Sequence, residues 1–344
     1  MKFFNCDYNE GAYPPILKKM MDTNLCQSIG YGEDEYCEEA RNMIRSLCDA
    51  KDGDVHFLVG GTQTNLTVIS AALRPHQGVI SPETGHINVH ETGAIEATGH
   101  KVLTVKTPDG LLTADMVEKV CHDHFTDEAF EHMVMPGMVY ISSPSELGTV
   151  YSRQALTDLR AVCDKYDLML YMDGARLGYG MAARENDIDL PFLYNVCDAF
   201  YIGGTKQGAI MGEALVIRNA ALKKDFRYMI KQKGGMFAKG RMLGIQFLEL
   251  FRDGAYFKLA EHADRLADDI RGALAAKGYP LAVQSGTNQI FVILPDEATA
   301  KLKEKYVLSD SGRYDDTHSV QRICTSWATN PADVKELIAD IESL

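Results

Sequence analysis

The 344-residue sequence contains no run approaching the ~18 uninterrupted apolar residues of a membrane-crossing helix. Its start, Met1-Lys2-Phe3-Phe4-Asn5-Cys6-Asp7, lacks the apolar stretch of a signal peptide. Cysteine pairing signals are also missing. The eight cysteines fall at positions 6, 26, 37, 48, 121, 163, 197 and 324 with no C-x-x-C among them. That scatter speaks against a zinc site or a disulfide framework and for reduced thiols in a cytoplasmic setting. Basic charge is scarce as well: 35 Lys and Arg face 48 Asp and Glu, a net charge of −13. A nucleic-acid or anionic-membrane surface needs a concentrated basic patch, and none is present. A small anionic ligand held by a few placed cations remains compatible. No internal repeat, low-complexity segment or Pro/Ser-rich linker interrupts the chain.

What is present is ordinary globular composition, 46% hydrophobic and 24% charged, over a length that suggests about two domains. Between residues 55 and 220, short β-rich runs alternate with helical stretches. Val55–Val59 enters Gly60-Gly61-Thr62 and a helical Gln63–Leu73. Gly78–Ser81 and Lys101–Val105 follow. Met138–Ser142 and Leu168–Met172 flank a helix near Arg153–Tyr166, and Ala199–Ile202 and Glu213–Ile217 complete the series. Several of these runs are continuously apolar, as strands buried between two helical layers are. The alternation predicts an α/β fold with a mostly parallel, doubly wound sheet. After residue 240 the texture changes to long amphipathic helices, Met242–Leu250 and Tyr256–Lys277. Strand-like Ala282–Val283, Gln289–Leu294 and Ser319–Thr325 come next, and then a final helix from Ala332. The expected division is a large domain over 1–245, with an N-terminal arm of about 1–15, and a smaller C-terminal α+β domain over 246–344.

Four features could carry chemistry. Gly60-Gly61-Thr62-Gln63-Thr64-Asn65 lies between a strand and a helix, where free amides, the helix dipole and the Thr62 hydroxyl make an anion cradle. The same turn could simply need glycine for its dihedrals, and it is not a P-loop. Asp173, in Tyr171-Met172-Asp173-Gly174-Ala175-Arg176, ends an apolar strand where doubly wound sheets bind ligands; a helix N-cap is the alternative. Lys206, in Gly203-Gly204-Thr205-Lys206-Gln207-Gly208, also follows a strand. Backbone packed closely around it would desolvate the amine and make it a nucleophile, against the alternative of a surface lysine. His86 is an imidazole after another strand. His86 and His90 are four apart, but no third ligand or H-E-x-x-H accompanies them, so no metal is expected. His122 and His124 lie in a polar stretch and read as surface residues. A phosphate cradle, an imidazole, a carboxylate and a lysine on successive strand ends are together what pyridoxal 5′-phosphate requires.

At this point the sequence resembles the L-threonine aldolase family of low-specificity type. That family belongs to the fold type I pyridoxal-phosphate enzymes, and the resemblance covers essentially the whole chain. Tyr31-Gly32-Glu33-Asp34 matches an early Y-G-x-D motif, Gly61-Thr62 with Asn65 matches S-G-T-x-x-N, and His86 matches a ring-stacking histidine. Asp173-Gly174-Ala175-Arg176-Leu177 matches D-G-A-R-L. Lys206, 33 residues beyond Asp173, falls where the family carries its Schiff-base lysine. Gly234-Gly235-Met236 matches a G-G-M segment, preceded by Lys231 at the place of a phosphate-contacting lysine. Arg322 resembles the small-domain arginine that holds the substrate carboxylate.

The resemblance implies catalytic roles for Lys206, His86 and Asp173. It implies cofactor contacts from Gly61, Thr62, Arg176, Thr205 and Lys231, and substrate contacts from Cys6, Tyr31, Arg176 and Arg322. The expected reaction is retro-aldol cleavage of a β-hydroxy-α-amino acid to glycine and an aldehyde, with His86 acting through water as the first candidate base. A dimer or tetramer with shared sites is implied, Tyr31 coming from the partner. The alternatives are a β-eliminating lyase, an aminotransferase or a non-catalytic nucleotide-binding α/β protein, the last of which gives Lys206 no task. The chain departs from the family at Gly60, Thr205, Cys6, Phe237 and Ser143-Pro144-Ser145-Glu146, which replaces an E-N-T-H-N loop. The departures fall mainly in the substrate half of the site.

Overall fold

The structure is a computed structural model that describes residues 1–344. A short strand, β1 (Lys2–Phe3), opens the chain. Seven strands then build one sheet: β2 (Asp54–Leu58), β3 (Gln77–Pro82), β4 (Val102–Val105), β5 (Met135–Ser142), β6 (Met169–Asp173), β7 (Ala199–Gly203) and β8 (Glu213–Ile217). Their spatial order is β2-β8-β7-β6-β5-β3-β4. Only β8 runs antiparallel to its neighbours, so the sheet is mostly parallel as the alternating pattern predicted.

The continuously apolar runs have their physical cause here. Val139, Ile141, Leu170 and Met172 enter the core on one face, and the intervening Met138, Tyr140 and Tyr171 enter the core on the other. Successive strand side chains point to opposite faces, so a sheet covered on both sides needs apolar residues at every position. Each fully buried aliphatic side chain contributes roughly 1.5–3 kcal/mol.

The C-terminal part has a third core of its own. Helix Ala255–Ala276 and helix Pro331–Ser343 cover an antiparallel sheet of β9 (Gln289–Pro295), β11 (Ser309–Arg313) and β12 (His318–Cys324). The short β10 (Tyr306–Val307) pairs in parallel with β1, and Phe4 enters this third core, so the N-terminal arm packs on the small unit.

Two local expectations change, and the expected boundary near residue 245 falls within a helix. Residue 245 lies inside helix Arg241–Phe251, whose Leu243, Phe247 and Leu250 belong to the large core. Asp253 (φ 52°) and Gly254 (φ 67°) kink the chain into the next helix, whose Tyr256 still belongs to the large core while Leu266, Ile270 and Leu274 belong to the third. Ala282–Val283 forms no strand; a single bridge, Leu281 to Val292, stands there. His124 is buried: on helix Ala114–Thr126 it shares one face with Val117 and Cys121, against Phe125 and Phe130. No helix is long and apolar enough to cross a membrane.

Candidate active site

The carboxyl ends of β2, β3, β5, β6 and β7 converge on a cleft of about 180 Å³, lined among others by Thr62, His86, Glu146, Asp173, Lys206 and Glu213. This is the edge at which open α/β sheets bind ligands. Close backbone approach makes the convergence possible. A Cβ on Gly174 would collide with the carbonyl oxygen of Tyr201, and one on Gly203 with that of Ala175, so only glycine lets the ends of β6 and β7 meet.

At one end of the cleft, helix Gly61–Ala72 presents its N-terminus. Gly60, extended at φ −175°, is its cap and offers no side-chain acceptor. The first-turn amides of Gly61, Thr62 and Gln63 therefore stay free, and Thr62 is exposed beside them. Free amides, a helix dipole and a hydroxyl suit a phosphate. Gly61 packs so close to Tyr201 that an added Cβ would lie 2.9 Å from its hydroxyl.

Asp173, at the end of β6, is buried and fully hydrogen-bonded. Its Oδ2 accepts from Asn65 Nδ2 at 2.9 Å and from the Tyr140 hydroxyl at 2.8 Å. Its Oδ1 accepts from the Ala175 amide at 3.0 Å and from the Tyr201 hydroxyl. Burial alone would push this carboxyl up. The Tyr201 hydrogen bond, the nearby His86 and the Asn65 and Tyr140 donors overcome it and hold the pKa below the usual aspartate range. Asp173 is thus a fixed anion, suited to keep a pyridine nitrogen protonated.

A buried polar chain runs from this anion to the imidazole. Asn65 Nδ2 also donates to Glu91 Oε1 at 2.7 Å, its Oδ1 accepts from Tyr171 at 2.8 Å, and Glu91 Oε1 lies 2.8 Å from His86 Nδ1. Burial lowers the basicity of His86. The Glu91 hydrogen bond and the charges of Asp173 and Glu91 more than reverse this, so the imidazole titrates above its ordinary value.

Lys206 follows β7 in a tight turn, where its carbonyl accepts from Tyr179 at 2.7 Å. Burial first, and Arg176 second, lower the basicity of its amine against the pull of Asp7, Asp173 and Glu213. Glu213, opening β8, accepts from the Gly204 amide at 3.1 Å and the Thr205 hydroxyl at 2.8 Å. Burial pushes its carboxyl up. Thr205 thereby braces the turn that carries Lys206.

The structure brings Gly61, Thr62, His86, Asp173, Arg176, Thr205 and Lys206 into the one cleft. Four other expected site residues lie outside its lining. Cys6 is buried, and its thiol donates to Asn9 Oδ1 at 3.1 Å. Arg322 donates to the Asn5 carbonyl at 2.9 Å and leaves its buried Nε without a partner. Tyr31 and Lys231 sit together on an exposed patch with Arg227, Tyr228 and Met236, the Lys231 amine 4.9 Å from the Tyr31 ring centre. Sequence reasoning missed Glu91 and Glu213. A charged residue opening an otherwise apolar strand was the available signal for Glu213; Glu91 sits in a loop and gave none.

This donor set fits pyridoxal 5′-phosphate: a helix N-terminus for phosphate, a fixed carboxylate for the ring nitrogen, an imidazole and a weakly basic lysine. Comparison with known proteins agrees. Residues 13–297 match the family described as Beta-eliminating lyase. A low specificity L-threonine aldolase of a Pseudomonas species is 30% identical, over 99% of this chain and 97% of its own. The solved structure of Leishmania major threonine aldolase superposes with a TM-score of 0.97 at 42% identity, covering 100% of this chain and 99% of that one. A Thermus thermophilus aspartate aminotransferase shares the fold alone, with a TM-score of 0.73 at 15% identity over 99% of this chain and 91% of that one. The architecture is that of the fold type I enzymes, and the chain belongs to the β-eliminating lyase family, where it groups with the threonine aldolases.

Proposed function

We propose that the protein is a pyridoxal 5′-phosphate-dependent lyase that cleaves a β-hydroxy-α-amino acid of the threonine or allo-threonine class to glycine and an aldehyde. The observation that carries this reading is Lys206, an amine of lowered basicity in the same cleft as the fixed anion Asp173.

Lys206 would hold the cofactor through Nζ, Asp173 its ring nitrogen, the Gly61–Thr62 amides its phosphate, and His86 one face of the ring. When bound, the cofactor supplies an electron sink for the pair left at the substrate's Cα. The chain's own residues do the rest. Asp173, ionised by its four donors, keeps a proton on the ring nitrogen. Arg322, with its free Nε, and Arg176, whose Nη1 makes no hydrogen bond within the chain, are the cations for the substrate carboxylate. Two guanidinium contacts would orient the Cα–Cβ bond for cleavage. Cys6, on the N-terminal arm, follows Asn5, whose carbonyl accepts from Arg322, and is assigned to the same end of the substrate.

Tyr31 and Lys231 lie too far toward the surface to line their own chain's cleft. We assign them to the site of a second copy, in a dimer or tetramer with shared sites. Eight unpaired cysteines support a reducing, cytoplasmic compartment.

The test is to offer L-threonine, L-cysteine and a 2-oxo acid separately to the cofactor-loaded protein and identify the products. Glycine and acetaldehyde from threonine support the reading. Pyruvate from cysteine with no aldehyde from threonine would instead favour β-elimination, the chemistry in the matched family's description, and transfer to the oxo acid would favour an aminotransferase.

A further inference from the structure

Three carboxylates line the cleft, and two are fully engaged. Asp173 accepts four hydrogen bonds on its two oxygens, and Glu213 accepts one on each. Glu146, in the turn after β5, is different. Its Oε1 accepts from the His86 amide at 2.9 Å and the Ser142 hydroxyl at 2.7 Å, so the side chain is fixed. Its Oε2 is buried and has no hydrogen-bond partner in the chain. An unpaired buried carboxylate oxygen is destabilising, so its retention beside a reaction cleft calls for a ligand group.

We propose that Glu146 Oε2 is the acceptor of the substrate's β-hydroxyl proton, a catalytic role that rests on the aldolase reading above. Retro-aldol cleavage needs such an acceptor. The O–H bond breaks and its proton passes to Oε2. The electron pair of that bond forms the aldehyde C=O as the Cα–Cβ bond breaks, and the Cα–Cβ pair stays with Cα. Cα then takes a proton from solvent to give glycine, and Oε2 gives its own to the solvent admitted when the aldehyde leaves, so no proton is gained or lost overall. The other groups in reach suit the task less well. Asp173 has no free oxygen. His86 spends Nδ1 on Glu91 Oε1, which leaves that nitrogen unavailable to a substrate hydroxyl. Glu146 faces Asp173, His86, Tyr140 and Tyr151. Burial, with the Asp173 charge adding to it, makes its carboxylate a stronger base than an ordinary glutamate.

Glu146→Gln keeps the shape and removes the base. In the cofactor-loaded variant, kcat for threonine cleavage should fall at least about 100-fold, with KM nearly unchanged and the acid limb of the pH profile lost. Exchange of glycine's Cα proton with deuterated solvent breaks no C–C bond and should stay within about threefold of wild type, as should cofactor uptake followed by visible absorption. In cofactor-free protein, difference infrared spectroscopy should show one carboxyl titrating above the ordinary glutamate range in wild type that is missing from the variant, while other raised carboxyls such as Glu213 remain. Cleavage retained within threefold, or cleavage and glycine exchange lost together, would overturn the assignment. Wild-type protein that takes up cofactor and exchanges glycine but cleaves no hydroxy amino acid would overturn the aldolase reading, and this assignment with it.

Discussion

Arg176 is held in a two-point ion pair by Asp7: Nε lies 2.7 Å from Oδ2 and Nη2 lies 3.0 Å from Oδ1. Asn288 completes the arrangement by donating to Asp7 Oδ2 at 2.9 Å. Three segments far apart in sequence thus meet at one buried carboxylate: the N-terminal arm, the loop after β6 and the start of the small sheet. Burial opposes ionisation of Asp7, but Arg176 and then Lys206 hold its pKa below the usual range. The ion pair fixes Arg176 at the cleft and ties the arm and the small unit to the large sheet.

Removing Asp7 should therefore leave a buried, unpaired guanidinium. Asp7→Ala is expected to cost about 3–5 kcal/mol in urea unfolding monitored at equilibrium. A loss below about 1 kcal/mol would show that the pair is not structural.

Asp173→Asn preserves size but removes the charge that the four donors stabilise. The expected result is a folded protein that still takes up pyridoxal phosphate, with kcat for threonine cleavage down by about 100-fold or more. Titrating cofactor uptake alongside the kinetics separates lost binding from lost chemistry, and an unchanged kcat would refute the role assigned to the anion.

Asp264, on helix Ala255–Ala276, is buried with neither carboxylate oxygen hydrogen-bonded. Burial pushes its pKa to about 9; Arg271 opposes the shift, and Asp268 and Glu185 add to it. An acid whose pKa is raised on folding binds its proton more tightly in the native state. Its contribution is thus most favourable below the ordinary aspartate range and is lost as the pH climbs toward about 9, at about 1.4 kcal/mol per unit. Asp264→Asn should flatten the pH dependence of Tm and be more stable than wild type at pH 8. Parallel Tm curves for the two proteins would contradict this.

Much of the site could be read from the chain because strand ends carry local signals. Gly-Gly-Thr before a helix, Asp173 after an apolar run and Lys206 among glycines each sit where a strand stops, and the structure gathers all three. What was not legible depends on distance along the chain. Asp7 and Arg176 are 169 residues apart, and Asn65 and Asp173 are 108 apart, so no local pattern could announce either contact. Glu91 lies only five residues from His86, but its link through Asn65 to Asp173 crosses the fold. The change of core was hidden for another reason: helix Arg241–Phe251 is apolar and could serve either core, only its packing on the large one decides, and the hand-over falls inside the next helix, between Tyr256 and Leu266.

The central claim is that Lys206 is the cofactor's point of attachment. Pyridoxal 5′-phosphate is added to wild-type protein and to Lys206→Ala, each is dialysed and its visible spectrum recorded, and borohydride reduction followed by peptide mass mapping locates any bound adduct. The account predicts a retained absorption band and an adduct on Lys206 in wild type, with neither in the variant. Wild-type protein that stays colourless, or an adduct on another residue, would contradict it.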